Sequence, residues 1–323
     1  MPRRLKASHI VLALLCAMYF ITYLDRVNIG AAAAPIKAQF HLSNTQLGLI
    51  FSGFAYPYLC CQVVGGLISD RWGARRTLVI CGLVWAGATI LTGMAMGFVS
   101  LFAARLLLGL GEGATFPAAT QAMQNWFPAD RRGFAQGLTH SFSRLGNAIT
   151  APVVAALTVV FGWRSSFVIV GLISLVWIVL WGLYFRDDPR RHAGVSADEI
   201  EPLPPMRQLQ SVQIPWASLV RKIAPVTLTY FCYAWILWLY LNWLPLFFKT
   251  NYHMDIQKSA VFAAGVFVAG VVGDTLGGVA SDRLLKRTGN VRFSRLVLIV
   301  GGFVGAAVSL GAMLVSHDLT VVA

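Results

Sequence analysis

Nine apolar stretches, at 9–33, 44–69, 77–97, 99–124, 134–160, 163–185, 223–248, 256–280 and 293–316, constrain this chain more than any other feature. Each is long enough to cross a hydrocarbon core about 30 Å thick, which takes roughly 20 helical residues. In lipid the backbone must satisfy its own hydrogen bonds, so stretches of this length are predicted to be helices. Composition agrees: 57% of the residues are hydrophobic and only 12% charged, a balance that a water-soluble domain does not have. The expected fold class is an all-α membrane protein.

A net charge of +13 raises nucleic-acid binding as a possibility, and the placement of the charges argues against it. Of 26 Lys and Arg residues, 19 fall in loops on the side that holds the N-terminus, four (Lys37, Arg164, Lys249, Lys258) on the other side, and three (Arg26, Arg105, Arg144) within spans. Basic residues concentrate in cytoplasmic loops, so the N-terminus and the polar stretch 186–222 are expected to be cytoplasmic. The opening basic run resembles a secretory signal, but its apolar run lacks a small-residue cleavage site and is interrupted by Asp25 and Arg26. We read it as the first span. The five cysteines all lie in apolar spans with no spacing for a metal or a disulfide; neither metal nor cofactor is expected.

An internal repeat organises the spans. GGLISDRWGARR (Gly65 to Arg76) returns as GGVASDRLLKRTG (Gly277 to Gly289), with Asp70 and Asp282 lying 212 positions apart. Related halves of this kind are a hallmark of membrane transporters. The expected organisation is a six-helix bundle over 1–185, a cytoplasmic linker over 186–222 and a partial second bundle of about three helices over 223–323. The offset equates spans 2 and 3 with spans 8 and 9, so the chain is expected to stop halfway through its second bundle.

These motifs, together with RLLLGLGEGATFP in span 4, resemble the major facilitator superfamily. YLDRVNIGAA in span 1 and LNWLPLFF in span 7 are similar to its anion:cation symporter branch, which includes bacterial hexuronate, galactonate, glucarate and phthalate permeases. The resemblance covers essentially the whole chain. It implies proton-coupled symport of a small organic anion, such as a sugar acid or another carboxylate, by a monomer in the bacterial inner membrane. The same fold also serves exporters, potential-driven carriers and non-transporting sensors.

Charges inside spans carry the chemistry. Each costs roughly 2.5–3.5 kcal/mol at a helix centre by insertion scales, so it needs a partner or a wet cavity. Asp25, Arg26, Arg105, Glu112 and Arg144 are such charges. Glu112 follows Arg105 by seven residues, two turns on nearly the same helix face, which suggests a ladder of acids and bases. The resemblance implies that Asp25 and Glu112 carry the proton and that Arg26 meets the substrate carboxylate. Arg105 is expected to bind substrate, pair with an acid or help gate access. Tyr23, three residues before Arg26, borders the same cavity or packs between helices. In span 5, Gln136, His140, Ser143, Arg144 and Asn147 form a polar stripe at helical spacing; Arg144 signals a more highly charged substrate or a structural ion pair. Tyr240 and Asn242 approach from the second half. Gly65, Asp70, Arg71 and Arg75, with Asp282 and Arg283, are expected to form a gate, Asp70 accepting from helix amides or from an Arg of the facing bundle. Pro117 and Pro152 are expected kinks. Asp274 reads as an interhelical partner, since its AGVVGD context lacks the GxGD that an intramembrane aspartyl protease needs.

Overall fold

A computed structural model describes residues 6–201, 203, 216–251, 254–255, 257–262, 264–265, 268, 280, 283–284 and 287–315. Every regular element among them is helical. The order is α1 (Ala7–Ala31), α2 (Ala33–Phe40), α3 (Asn44–Gly53), α4 (Ala55–Gly93), α5 (Phe98–Gly113), α6 (Thr115–Trp126), α7 (Ala129–Phe161), α8 (Trp163–Tyr184), the short α9 (Ala197–Ile200), α10 (Trp216–Asn251) and α11 (Val291–Val315). Seven helical stretches among the described residues are long and apolar enough to cross a membrane. One of them, Asn44–Gly93, is 50 residues long and turns at Gly73, whose φ of 81° lies in the left-handed region. It supplies spans 2 and 3. Most of the eighth expected span, together with Asp274, Asp282 and the paired glycines of the second repeat, lies outside the described residues.

Local signals explain the ends. The side chain of Ser43 accepts from the Gln46 amide while Gln46 accepts from the Ser43 amide, a capping box that starts α3. Span 4 breaks into α5 and α6 at Ala114, three residues before Pro117, whereas α7 runs unbroken through Pro152. A proline kink is therefore seen only as a displaced break at the first site, and the second does not interrupt its helix.

In the first half, α1 packs on α7 and α8, and α4 packs on α5, α6 and α8. Close approach depends on missing side chains. A Cβ added to Gly113 would lie 2.3 Å from Cys61 Cβ, and one added to Gly65 would lie 2.3 Å from Ala114 Cβ. An aromatic column, Trp85–Trp177–Trp181–Phe185–Trp126, runs through the bundle with centroid separations of 4.0–5.7 Å. The second half joins through α10, which touches α1 and α2, while its stretch Ala217–Tyr240 turns an apolar surface outward and holds no buried residue. Such an apolar surface suits lipid or further helices.

Candidate functional site

Span 1 brings Asp25 and Arg26 to the bundle centre, and α5 brings Arg105 and Glu112. All four are buried. Arg26 Nε donates to Glu112 Oε2 at 2.6 Å, with the two side chains 3% and 0% exposed. Thr89 Oγ1 donates to Asp25 Oδ1 at 2.8 Å. Arg105 lies within electrostatic range of Glu112, Asp25 and Arg26. The expected ladder is thus a cluster: Glu112 sits two turns from Arg105 along α5, and the long Arg26 side chain crosses from α1 to meet it.

Aromatic rings wall the cluster. The Arg26 guanidinium carbon lies 4.9 Å from the Tyr23 ring centre, 5.2 Å from Phe54, 4.6 Å from Tyr58 and 5.1 Å from Phe116. Arg105 lies 5.3 Å from Phe54. Facing rings of this kind stabilise a desolvated guanidinium by cation–π attraction. From the second half, Trp238 comes within 5.5 Å of Phe54, so one ring joins both arginines to α10. Sequence reading missed Phe54, Tyr58, Thr89, Phe116 and Trp238; the signal was the four-residue spacing of Phe54 and Tyr58 in span 2.

Several polar atoms here have no hydrogen-bond partner among the described residues: Arg105 Nε and Nη2, Arg26 Nη2, Asp25 Oδ2, Glu112 Oε1, Asn147 Oδ1 and Asn242 Oδ1. Buried polar groups are rarely left unsatisfied, and five of these atoms belong to the four clustered charges Asp25, Arg26, Arg105 and Glu112, which suits a site that takes a polar ligand. Ser143 and Asn147 are buried on α7; Arg144 and His140 are exposed on the same helix. Gln136 bonds His140 at 2.9 Å. Asn242 donates to the Trp238 carbonyl at 2.8 Å. Tyr240 packs against the second-half apolar pair Leu244 and Phe248.

The residues expected to gate separate into two groups. Arg75 donates from Nε to the Gly182 carbonyl at 2.9 Å, and its amide donates to Asp187 Oδ1 at 3.0 Å. A Cβ at Gly73 would lie 2.6 Å from that carboxylate. The first repeat loop is therefore tied to the end of α8. Burial pushes the Asp187 carboxyl above its usual range, against the lowering pull of the Arg75 and Ala74 amides and the Arg75 guanidinium. Asp70, Arg71 and Arg283 are exposed, and Asp70 has no partner among the described residues. Nearby, Ser8 donates to Glu199 Oε1 from its hydroxyl at 2.7 Å and from its amide at 3.3 Å, pinning α9 under α1.

Comparison with known proteins gives this geometry a context. The family model described as Major Facilitator Superfamily matches residues 15–323. The chain is 44% identical over 322 residues to the probable sulfoacetate transporter SauU of Cupriavidus necator, spanning 98% of this chain and 75% of that relative. It is 33% identical over 296 residues to the hexuronate transporter of Bacillus subtilis, spanning 90% of this chain and 69% of that one. Among solved structures it resembles a bacterial homologue of the human lysosomal transporter Spinster, with a TM-score of 0.73 at 21% identity, over 87% of this chain and 64% of that one. Against that structure it spans just under two thirds of the length.

Proposed function

We propose that this chain, which belongs to the major facilitator superfamily, carries a small organic anion together with protons by alternating access. The described residues are all-α, and the relatives that the chain matches are transporters of organic anions. The observation that carries the coupling is the wholly buried Arg26–Glu112 pair. Substrate and Glu112 compete for one guanidinium. An anion reaching Arg26 must displace the Glu112 carboxylate, and a carboxylate stripped of its partner in a desolvated site favours its protonated form. Proton and substrate thus enter together. Asp25 acts as the second proton carrier, held by Thr89 and facing Arg105.

Arg26, Arg105, Tyr23, Ser143, Arg144, Asn147 and Asn242 line the path in this reading, with Tyr240 a supporting contact from the second half. The first repeat loop and its counterpart around Asp282 latch the end that holds the N-terminus. The distribution of Lys and Arg supports an inner-membrane carrier with that end cytoplasmic; in this reading the bundles divide near 185 and 223 and the working unit is a monomer.

Uptake of radiolabelled sulfoacetate or glucuronate into proteoliposomes tests the reading. An inward proton gradient is expected to raise initial uptake at least about tenfold, and Arg26→Gln to abolish it. Uptake indifferent to the gradient overturns the coupling.

A further inference from the structure

The motif YLDRVNIGAA holds a further buried polar residue, Asn28, that the anion's path does not use. Asn28 lies one helical turn beyond Asp25 on the same face of α1, and two other helices bring hydroxyls to that face. Thr89 of α4 donates to Asp25 Oδ1 at 2.8 Å. Ser166 of α8 shares its one proton between the Trp163 carbonyl at 2.7 Å and Asn28 Oδ1 at 3.0 Å. All four side chains are at most 2% exposed. The backbones are close as well: α1 and α4 both pack on α8, and a Cβ on Gly93 of α4 would stand 2.8 Å from the Arg164 carbonyl of α8.

This seam runs along a different side of α1 from the anion site. Arg26 is turned from Asp25 by about 100° and meets Tyr23, Phe116 and Glu112, whereas Asp25 and Asn28 meet hydroxyls of α4 and α8. Each of these two side chains keeps one atom unengaged. Asp25 Oδ2 and Asn28 Nδ2 are buried and have no hydrogen-bond partner among the described residues. One accepts and the other donates, from Cβ atoms about 5–6 Å apart. A water molecule bridging them accepts from Nδ2 and donates to Oδ2, which is how buried water commonly satisfies such groups. Ser166 holds the other end of the amide and so fixes where it points. The seam also leads outward. Ser166 is one turn, about 4.5 Å along the axis, inside the start of α8 at Trp163, beside the partly exposed Arg164 and Ser165. That end of α8 lies opposite the end of the bundle that holds the N-terminus.

We propose that the seam between α1, α4 and α8 is a proton entry to Asp25 separate from the path of the anion, with Asn28 as the positioning residue that holds the exchanging water. This deepens the transport reading above and rests on it. The charged groups facing Asp25 are Arg26 on its own helix and Arg105 and Glu112 on α5; α4 and α8 contribute the neutral Thr89 and Ser166. A proton travelling with the anion passes two buried guanidinium groups that repel it, and one travelling the seam passes amide and hydroxyl groups. In each transfer a proton from the outer solution adds to the bridging water as another O–H bond of that water breaks toward Oδ2. The water is unchanged, and Asp25 gains one proton. Glu112 takes its own proton at the anion site.

Uptake of labelled sulfoacetate by the full chain in proteoliposomes tests the inference. Asn28→Leu keeps the shape of the amide without its donor. It is expected to slow gradient-driven uptake at least about fivefold while sulfoacetate exchange without a gradient stays within about twofold of the wild type. Proton delivery then limits the rate, so replacing H2O with D2O is expected to slow uptake at least about twofold in Asn28→Leu and by less in the wild type. A purely structural role does not create that isotope effect. Ser166→Ala, which adds no volume, is expected to shift uptake in the same direction and supplies the same test if Asn28→Leu does not fold; Ser166→Thr keeps the hydroxyl and should retain the coupling. Uptake and exchange falling in equal proportion, uptake unchanged, or an isotope effect equal to that of the wild type overturns the seam while leaving the transport reading standing. Wild-type uptake indifferent to the proton gradient overturns both.

Discussion

Removing one partner of the buried pair is expected to cost far more than removing both. Arg26 and Glu112 are 3% and 0% exposed and 2.6 Å apart; charges about 4 Å apart attract by about 4 kcal/mol at an effective dielectric constant near 20. Breaking such a pair from one side costs about 3–5 kcal/mol because the survivor is stranded. The two sides are unequal. A stranded Glu112 neutralises itself by taking a proton, whereas a guanidinium does not lose its own. Glu112→Leu is therefore the worst variant, at about 4 kcal/mol, reduced by whatever the four rings around Arg26 return as cation–π attraction. Arg26→Met is expected to cost less, and the Arg26→Met/Glu112→Leu double variant less than the sum of the two, since apolar replacement of a whole buried pair is often neutral. Thermal unfolding of detergent-purified protein, followed by the reactivity of its buried Cys16 thiol, reads the order. Additive costs, or Arg26→Met falling below Glu112→Leu in stability, would refute the reasoning.

Two further outcomes follow from packing and titration. Gly113→Val places a side chain where even a Cβ would sit 2.3 Å from Cys61; the α4–α5 contact is expected to open, lowering the folded yield in fluorescence-detected size exclusion, whereas Gly137→Ala, with open space around it, is expected to leave the yield unchanged. The carboxyl of Glu199 sits below its ordinary range: desolvation opposes this, but the Ser8 hydroxyl and amide, the Ser196 amide and Lys6 outweigh it. A depressed folded value means that the docking of α9 on α1 is fully stabilised above the unfolded value near 4.3 and is lost as pH falls through the lower folded one. Hydrogen exchange at the Ser8 amide should accelerate over that acid window in the wild type and show no such step in Glu199→Gln.

Much of this molecule was legible in the chain because lipid leaves few choices. Apolar length specifies the spans, and the cost of intramembrane charge marks Asp25, Arg26, Arg105 and Glu112 before any coordinate is known. Depth along a helix was a weaker guide. Counting residues placed Glu112 below its partners, but a side chain as long as that of Arg26 erases such an offset by reaching across helices. The aromatic wall was hidden for another reason: Phe54, Tyr58 and Phe116 are ordinary span residues, and only the packing of three helices aims them at one guanidinium. The gate was half legible. A repeat identifies the loop, yet that Arg75 caps the Gly182 carbonyl depends on where α8 ends.

The central claim is that protonation of Glu112 and arrival of substrate at Arg26 are one event. Comparing exchange with accumulation in Glu112→Gln proteoliposomes measures this most directly. The account predicts that labelled sulfoacetate still exchanges against unlabelled sulfoacetate while a proton gradient no longer drives its accumulation. Accumulation that still follows the gradient in this variant, at a rate near that of the wild type, would contradict it.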